Sequence, residues 1–150
     1  MKKILFILLL VPLFAISQTS QRVTISKLDI GKMNCKHEIY MNGSDTMNYI
    51  WLGFQNDKYT QITDTRSVMF PISKDSTDVR QFISDLKQAI NNAGSKQNLS
   101  WERSRYSIGV SDYDDFITIY EAKSKGTGYT ELKKEWAAEL VKWLETCLVN

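Results

Sequence analysis

The chain has 150 residues, of which 19 are Lys or Arg and 17 are Asp or Glu, with one His and two Cys. That length fits one domain with a real hydrophobic core that needs no metal or disulfide staples. So even a balance of charge excludes a binder of duplex nucleic acid, which must neutralise phosphates with a net basic face.

Met1-Lys2-Lys3 followed by the apolar run Ile4 to Phe14, broken only by Pro12, has the pattern of a cleavable export signal. The run is too short for a membrane-spanning helix, which needs about 20 apolar residues. Ala15-Ile16-Ser17 puts small residues at the first and third places before Gln18, so the expected cut follows Ser17. An uncleaved N-terminal anchor is the alternative. No cysteine stands near the cut to carry a lipid. Residues 1–17 are thus expected to be a signal peptide and 18–150 a single α+β domain, exported to the periplasm or the medium without a membrane span. The brevity of the signal points to a bacterial host. Loss of Lys2 and Lys3 leaves 17 basic and 17 acidic residues in the exported chain.

Val23 and Ile25 alternate and Leu28 and Ile30 resume on the other parity, which predicts a first strand with a bulge or bend near Lys27. Cys35, His37, Ile39 and Met41 share one face of a second strand, and Asn42-Gly43 signals a turn because both accept positive φ. Met47 to Gln55 reads as a third strand, Asn56-Asp57-Lys58 as a turn, Tyr59 to Thr63 as the start of a fourth strand, and Ser67 to Ile72 as extended chain. The period then changes. Val79, Phe82, Ile83, Leu86, Ala89 and Ile90 fall at helical spacing, with Asp75 or Ser76 as N-cap and Gly94 as the stop. Leu99 to Ser111 returns to strand, Asp112 to Asp115 turns, and Phe116 to Glu121 pairs back as a hairpin. After a loop at Lys123 to Gly128, Thr130 is placed to cap a final helix reaching about Leu148. The apolar residues of that helix, from Leu132 and Trp136 to Cys147 and Leu148, cover about half its circumference, wider than the ~100° stripe one docking surface requires. The expected architecture is α+β, with one antiparallel sheet of about five or six strands (meander, helix, hairpin, helix) and both helices on one face.

Both sulfurs fall on core-facing stripes. A Cys35–Cys147 disulfide would close a loop of about 110 residues, worth roughly 4 to 5 kcal/mol in the chain-entropy picture before native strain is subtracted. The alternative is two separately buried thiols.

Sorting strands by parity exposes a second face. Ile50, Leu52 and Phe54 oppose Tyr49 and Trp51; Ile117 and Ile119 oppose Phe116 and Tyr120; Tyr106, Ile108 and Val110 oppose Trp101, Arg103 and Arg105. Tyr49, Trp51, Trp101, Arg103, Arg105, Phe116 and Tyr120 are therefore expected on the face away from the helices. Tyr, Trp and Arg dominate binding hot spots because each combines contact area with a polar handle, and aromatic faces also stack on sugar rings. The competing reading is cross-strand pairing that stabilises a half-solvated sheet.

Other constellations are weak. Cys35 and His37 share a strand face but stand about 7 Å apart, beyond the contact a nucleophilic dyad needs. One His and no spare Cys make a zinc site improbable. Asp112, Asp114 and Asp115 lack the spacing and glycine of a calcium loop. Gly126-Thr127-Gly128 lacks any phosphate-binding pattern, so no metal or cofactor is expected. Asn42-Gly43-Ser44 and Asn98-Leu99-Ser100 match the glycosylation acceptor pattern, which matters only in a eukaryotic secretory pathway. The expected role is a non-catalytic module binding a protein, peptide or glycan. The alternatives are a hydrolase using carboxylates such as Glu102, Asp112 or Asp114, and a structural subunit of an envelope assembly.

Overall fold

A computed structural model describes residues 20–149 except 60, 62, 113 and 123–127. The expected signal at 1–17 and most of the loop after Ala122 lie outside the described residues. Strands β1 (Gln21–Ile30), β2 (Met33–Asn42), β3 (Asp45–Gln55) and β4 (Thr65–Pro71) form an antiparallel sheet in sequence order, and helix α1 (Thr77–Asn92) follows. Strands β5 (Leu99–Glu102), β6 (Tyr106–Val110), β7 (Phe116–Glu121) and β8 (Tyr129–Lys133) form a second such sheet, followed by α2 (Lys134–Val149). The protein is α+β, but with two four-stranded sheets in place of one of five or six.

Two local features produce the second sheet. The stretch Leu99–Ser111 is not one strand: the Arg103 N–H donates to the Tyr106 carbonyl at 2.8 Å, and the chain reverses so that Trp101 pairs with Ile108. Thr130 does not cap a helix; residues 129–133 form β8, with Thr130 opposite Ile119 and Leu132 opposite Ile117. Leu132 satisfies a helical stripe and a strand alternation equally well, so its periodicity could not decide between them. The fourth strand likewise begins at Thr65, after the turn.

The bulge in β1 falls between Thr24 and Ser26, making Ile25 the extra residue and returning Val23, Leu28 and Ile30 to one face. In the β2–β3 hairpin the central pair is Gly43-Ser44, of which only Gly43 needs a positive φ, +61°. Helix α1 starts without a side-chain cap: Ser76, at φ 43°, turns its hydroxyl back to the Ser73 carbonyl.

The helices lie alongside each other, α1 touching β4 and β6 while α2 touches β1, β7 and β8. The core they enclose draws on both sheets. At its centre Phe70 of β4, Phe82 of α1 and Tyr106 of β6 meet with ring centroids 4.8 to 5.8 Å apart, in tilted and edge-to-face contacts that favour the ring quadrupoles. Each bulky ring taken out of water there contributes on the order of 2 kcal/mol. The turn after β3 also seals the edge of β8. Asn56, fully buried, accepts the Tyr129 N–H on its Oδ1, Asp57 N–H donates to the Tyr129 carbonyl, and Asp57 Oδ2 accepts the Glu131 N–H. No described helix is long and apolar enough to cross a membrane.

The expected Cys35–Cys147 bridge is not formed, and both cysteines are free and buried. Cys35 sits between Leu28 and Leu52 on the neighbouring strands, whereas the Cys147 sulfur lies 3.6 Å from Ser26 Oγ. Both periodicities do aim inward, but at different neighbours. Burial, reinforced by the charge of Asp29, pushes the Cys35 thiol up to about 12. Ellman's reagent should therefore find two thiols per chain in denatured, unreduced protein and almost none in the native state; a denatured chain without reactive thiols would show that the bridge exists.

Candidate functional site

The face of the first sheet turned away from the helices is built around β3. Ile50, Leu52 and Phe54 are buried in the core, so Tyr49, Trp51 and Gly53 point the other way. Cross-strand pairing sets their neighbours: Lys36 and Met69 flank Trp51, and Glu38 and Pro71 flank Tyr49. Trp51 folds back along its own strand, and its ring fills the space that a Cβ on Gly53 would need. The Lys36 ammonium stands 5.3 Å from the ring centroid, within range of a cation–π attraction. Met69 is 46% exposed beside it. Trp51, which is partly buried, and the exposed Met69 thus form an apolar patch with one cation at its border.

Tyr49 belongs to the same face but is closed. Its hydroxyl donates to Glu38 Oε2 at 2.8 Å, Thr24 Oγ1 donates to Glu38 Oε1 at 3.2 Å, and Arg22 Nε approaches the same carboxylate at 3.9 Å. Burial first, and then the Glu38 hydrogen bond and charge, raise the Tyr49 hydroxyl above its ordinary pKa.

The seven residues expected on one outer face occupy four places. Tyr49 and Trp51 lie on the first sheet, and Phe116 and Tyr120 lie on the outer face of the second, where the Tyr120 ring meets Tyr129 at 5.7 Å. Trp101 is on the inner side: it pairs with Ile108, packs on the core and donates Nε1–H to Gln88 Oε1 of α1 at 3.1 Å. The β5–β6 turn explains the inversion, since parity counted through it assigns Trp101 to the wrong face. Arg103 and Arg105 sit in that turn and reach back to α1.

Arg103 holds the most connected polar cluster. Asp85 lies on the buried side of α1 with no exposed surface, and its carboxylate accepts four hydrogen bonds: Arg103 Nε and Nη2 at 2.8 Å each, Tyr106 Oη at 2.9 Å and Gln81 Nε2 at 2.8 Å. Burial pushes its pKa up, but the hydrogen bonds from Arg103, Gln81 and Tyr106, with the guanidinium charge, outweigh burial and hold it below the ordinary carboxylate range. Asp85 was not among the expected site residues; the signal that could have found it is an acid bracketed by Phe82, Leu86 and Ala89 at helical spacing, a position that needs a partner.

This cluster holds the turn at 103–105 in place, and the turn walls a cleft between the sheets. The cleft, about 490 Å³, is lined by Ser67, Val68 and Met69 of β4, Asp78 of α1, Ser104 and Arg105 of the turn, and Glu121 of β7. Arg105 pairs with Asp78 at 3.0 Å, and Glu121 lies 3.7 Å from Arg66, which also binds Asp64 at 3.0 Å. Met69 lines the cleft and also borders Trp51, so cleft and patch are continuous.

The other candidates stay apart. Glu102 ends β5 at one end of the second sheet, while Asp112 and Asp114 follow β6 at the other. Asp114 accepts the Phe116 N–H, as a turn residue does. His37 bonds to Asn48 Oδ1 at 2.8 Å. No group of three or more metal-ligating side chains occurs among the described residues. No family model, curated protein or solved structure matches the chain.

Replacing Arg103 by Ala leaves the buried Asp85 charge without its cation, and the expected result is a melting temperature lower by about 10 °C in a thermal scan. Because folded Asp85 gives up its proton more readily than the unfolded chain does, the cluster's stabilisation is complete above about pH 4 and fades as the pH falls through the lower folded value. Asp85→Asn should flatten that acid-side decline in a series of melts, and an unchanged slope would show that another group causes it.

Proposed function

We propose that this is an exported, non-catalytic binding module whose recognition surface is the Trp51–Met69 patch together with the adjoining inter-sheet cleft. The observation that carries the reading is continuity. A tryptophan seated over Gly53 and a half-exposed methionine adjoin a cleft of about 490 Å³ that β4, the start of α1 and the β5–β6 turn enclose. Large apolar side chains held in place beside a concavity supply contact area at low ordering cost, which is what an interaction hot spot requires. The ligand classes that suit it are a protein segment, a peptide or a glycan. Export follows from the pattern of residues 1–17. The distance between Glu102 and the Asp112–Asp114 turn gives no support to a carboxylate-dependent hydrolase, which needs its acid and base in mutual reach.

Trp51→Ala removes the ring while leaving Ile50, Leu52 and Phe54 in place, so the variant should fold with an unchanged circular dichroism spectrum. Its affinity for peptides or glycans captured by the wild-type protein on arrays should fall roughly tenfold or more. Equal affinity in wild type and variant would remove this patch from the recognition surface.

A further inference from the structure

The two sheets have four edge strands, β1, β4, β5 and β8, and an unprotected edge is a template for another chain. Three of them are blunted. A bulge at Ile25 interrupts β1, β5 has only four residues, and the Asn56–Asp57 turn bonds to the outer groups of β8. β4 pairs with β3 in uninterrupted register from Thr65 to Pro71 and, among the described residues, with no other strand.

Antiparallel geometry fixes which groups of β4 face outward. The Ile72 N–H donates to the Asn48 carbonyl at 2.7 Å, so Ile72, Phe70, Val68 and Arg66 turn their backbone groups toward β3. Thr65, Ser67 and Met69 turn theirs the other way, away from β3, and Ser67 and Met69 line the cleft. Pro71 falls on the outward parity, where its missing N–H costs the ladder nothing and where it ends the run of donors.

The cleft defines what can pair there. Ser104, Arg105 and Glu121 line the same opening as Ser67, Val68 and Met69 of β4, so a segment that pairs with β4 lies against all of them. Asp78 neutralises Arg105, but Arg66 is shared between Asp64 at 3.0 Å and Glu121 at 3.7 Å, so these groups keep a small negative excess that disfavours an acidic segment. A residue opposite Met69 on an added strand would share the outer face with Met69 and Trp51, which selects an apolar or aromatic side chain there. We infer that β4 accepts a short, extended peptide free of acidic residues as a fifth strand of the first sheet, seated in the cleft with an apolar side chain against Met69 and Trp51.

This inference rests on the recognition reading above, and its test separates the two. Short random peptides displayed on phage are panned against the purified protein, and those enriched are synthesised and titrated by fluorescence polarisation. Enriched sequences should lack acidic residues and carry apolar residues at every second position, and N-methylation of alternate amides should weaken binding roughly tenfold while the intervening amides tolerate it. Ser67→Pro deletes an N–H that β3 does not use and leaves the Met69 and Trp51 side chains in place, so it should keep the fold and lose a similar factor. Failure to enrich any peptide, or peptides whose N-methyl scan shows no alternation and whose affinity survives Ser67→Pro, would overturn strand addition. Unchanged peptide affinity in Trp51→Ala would instead overturn the patch reading. If Ser67→Pro does not fold, the N-methyl scan decides alone, since it leaves the protein untouched.

Discussion

The carboxylate of Asp85 is the constraint on which the rest of the structure depends. A charge with no exposed surface inside a helix-packed core is strongly unfavourable unless every lone pair finds a donor, and here Arg103, Tyr106 and Gln81 supply four. Three consequences follow from that one demand. The β5–β6 turn is held against α1, because Arg103 reaches the acid only from there. Tyr106 is held at the depth where its ring meets both Phe70 and Phe82. Ser104 and Arg105, carried by the same turn, become the far wall of the inter-sheet cleft. A hydrophobic pair of the same volume would pack as well without fixing the turn in this way, so the cluster contributes position more than net stability.

Four strands followed by a helix occur twice in the chain, and the two helices share one core. The sequence carries no internal repeat that announces this, because the halves solve the same packing problem with different residues. Phe70 and Phe82 fill the first half's contact, whereas Ile117, Ile119, Leu132 and Leu140 fill the second's. Both helices touch both sheets, α1 through β4 and β6 and α2 through β1, β7 and β8. The breadth of the α2 stripe read from sequence comes in part from Leu132, which belongs to β8 and not to the helix.

How far the sequence could be read depended on how unambiguous each period was. β3 and α1 were legible because Ile50, Leu52 and Phe54 fit only a period of two, and Val79, Phe82, Leu86 and Ala89 only a helical one. β8 was not legible, since five residues with two buried positions fit both periods. The split of β5 from β6 was hidden because Arg103-Ser104-Arg105 contains no Gly, Pro or Asn to mark a turn; what bends the chain there is a tertiary ion pair, not local propensity. The same omission displaced Trp101 to the wrong face and made two sheets look like one. For the candidate site, Trp51 was readable from β3 alone, but Lys36 and Met69 enter only through cross-strand register, and the cleft only through the contact of one sheet with the other.

The two aromatic residues of β3 show how similar side chains on one face can differ in availability. Tyr49 has spent its polar handle: its hydroxyl is bound to Glu38, which is itself held by Thr24, so a ligand taking it would have to break an existing network. Trp51 has spent little. Gly53 provides the recess into which the ring settles, and no other residue type at that position would leave it. A ring fixed in this way has already lost its rotamer freedom on folding, so contact with a partner costs it little further entropy, whereas a freely rotating indole would lose that freedom only on association. The advantage lies in preorganisation, and it is set by a glycine two residues along the strand from the side chain it serves.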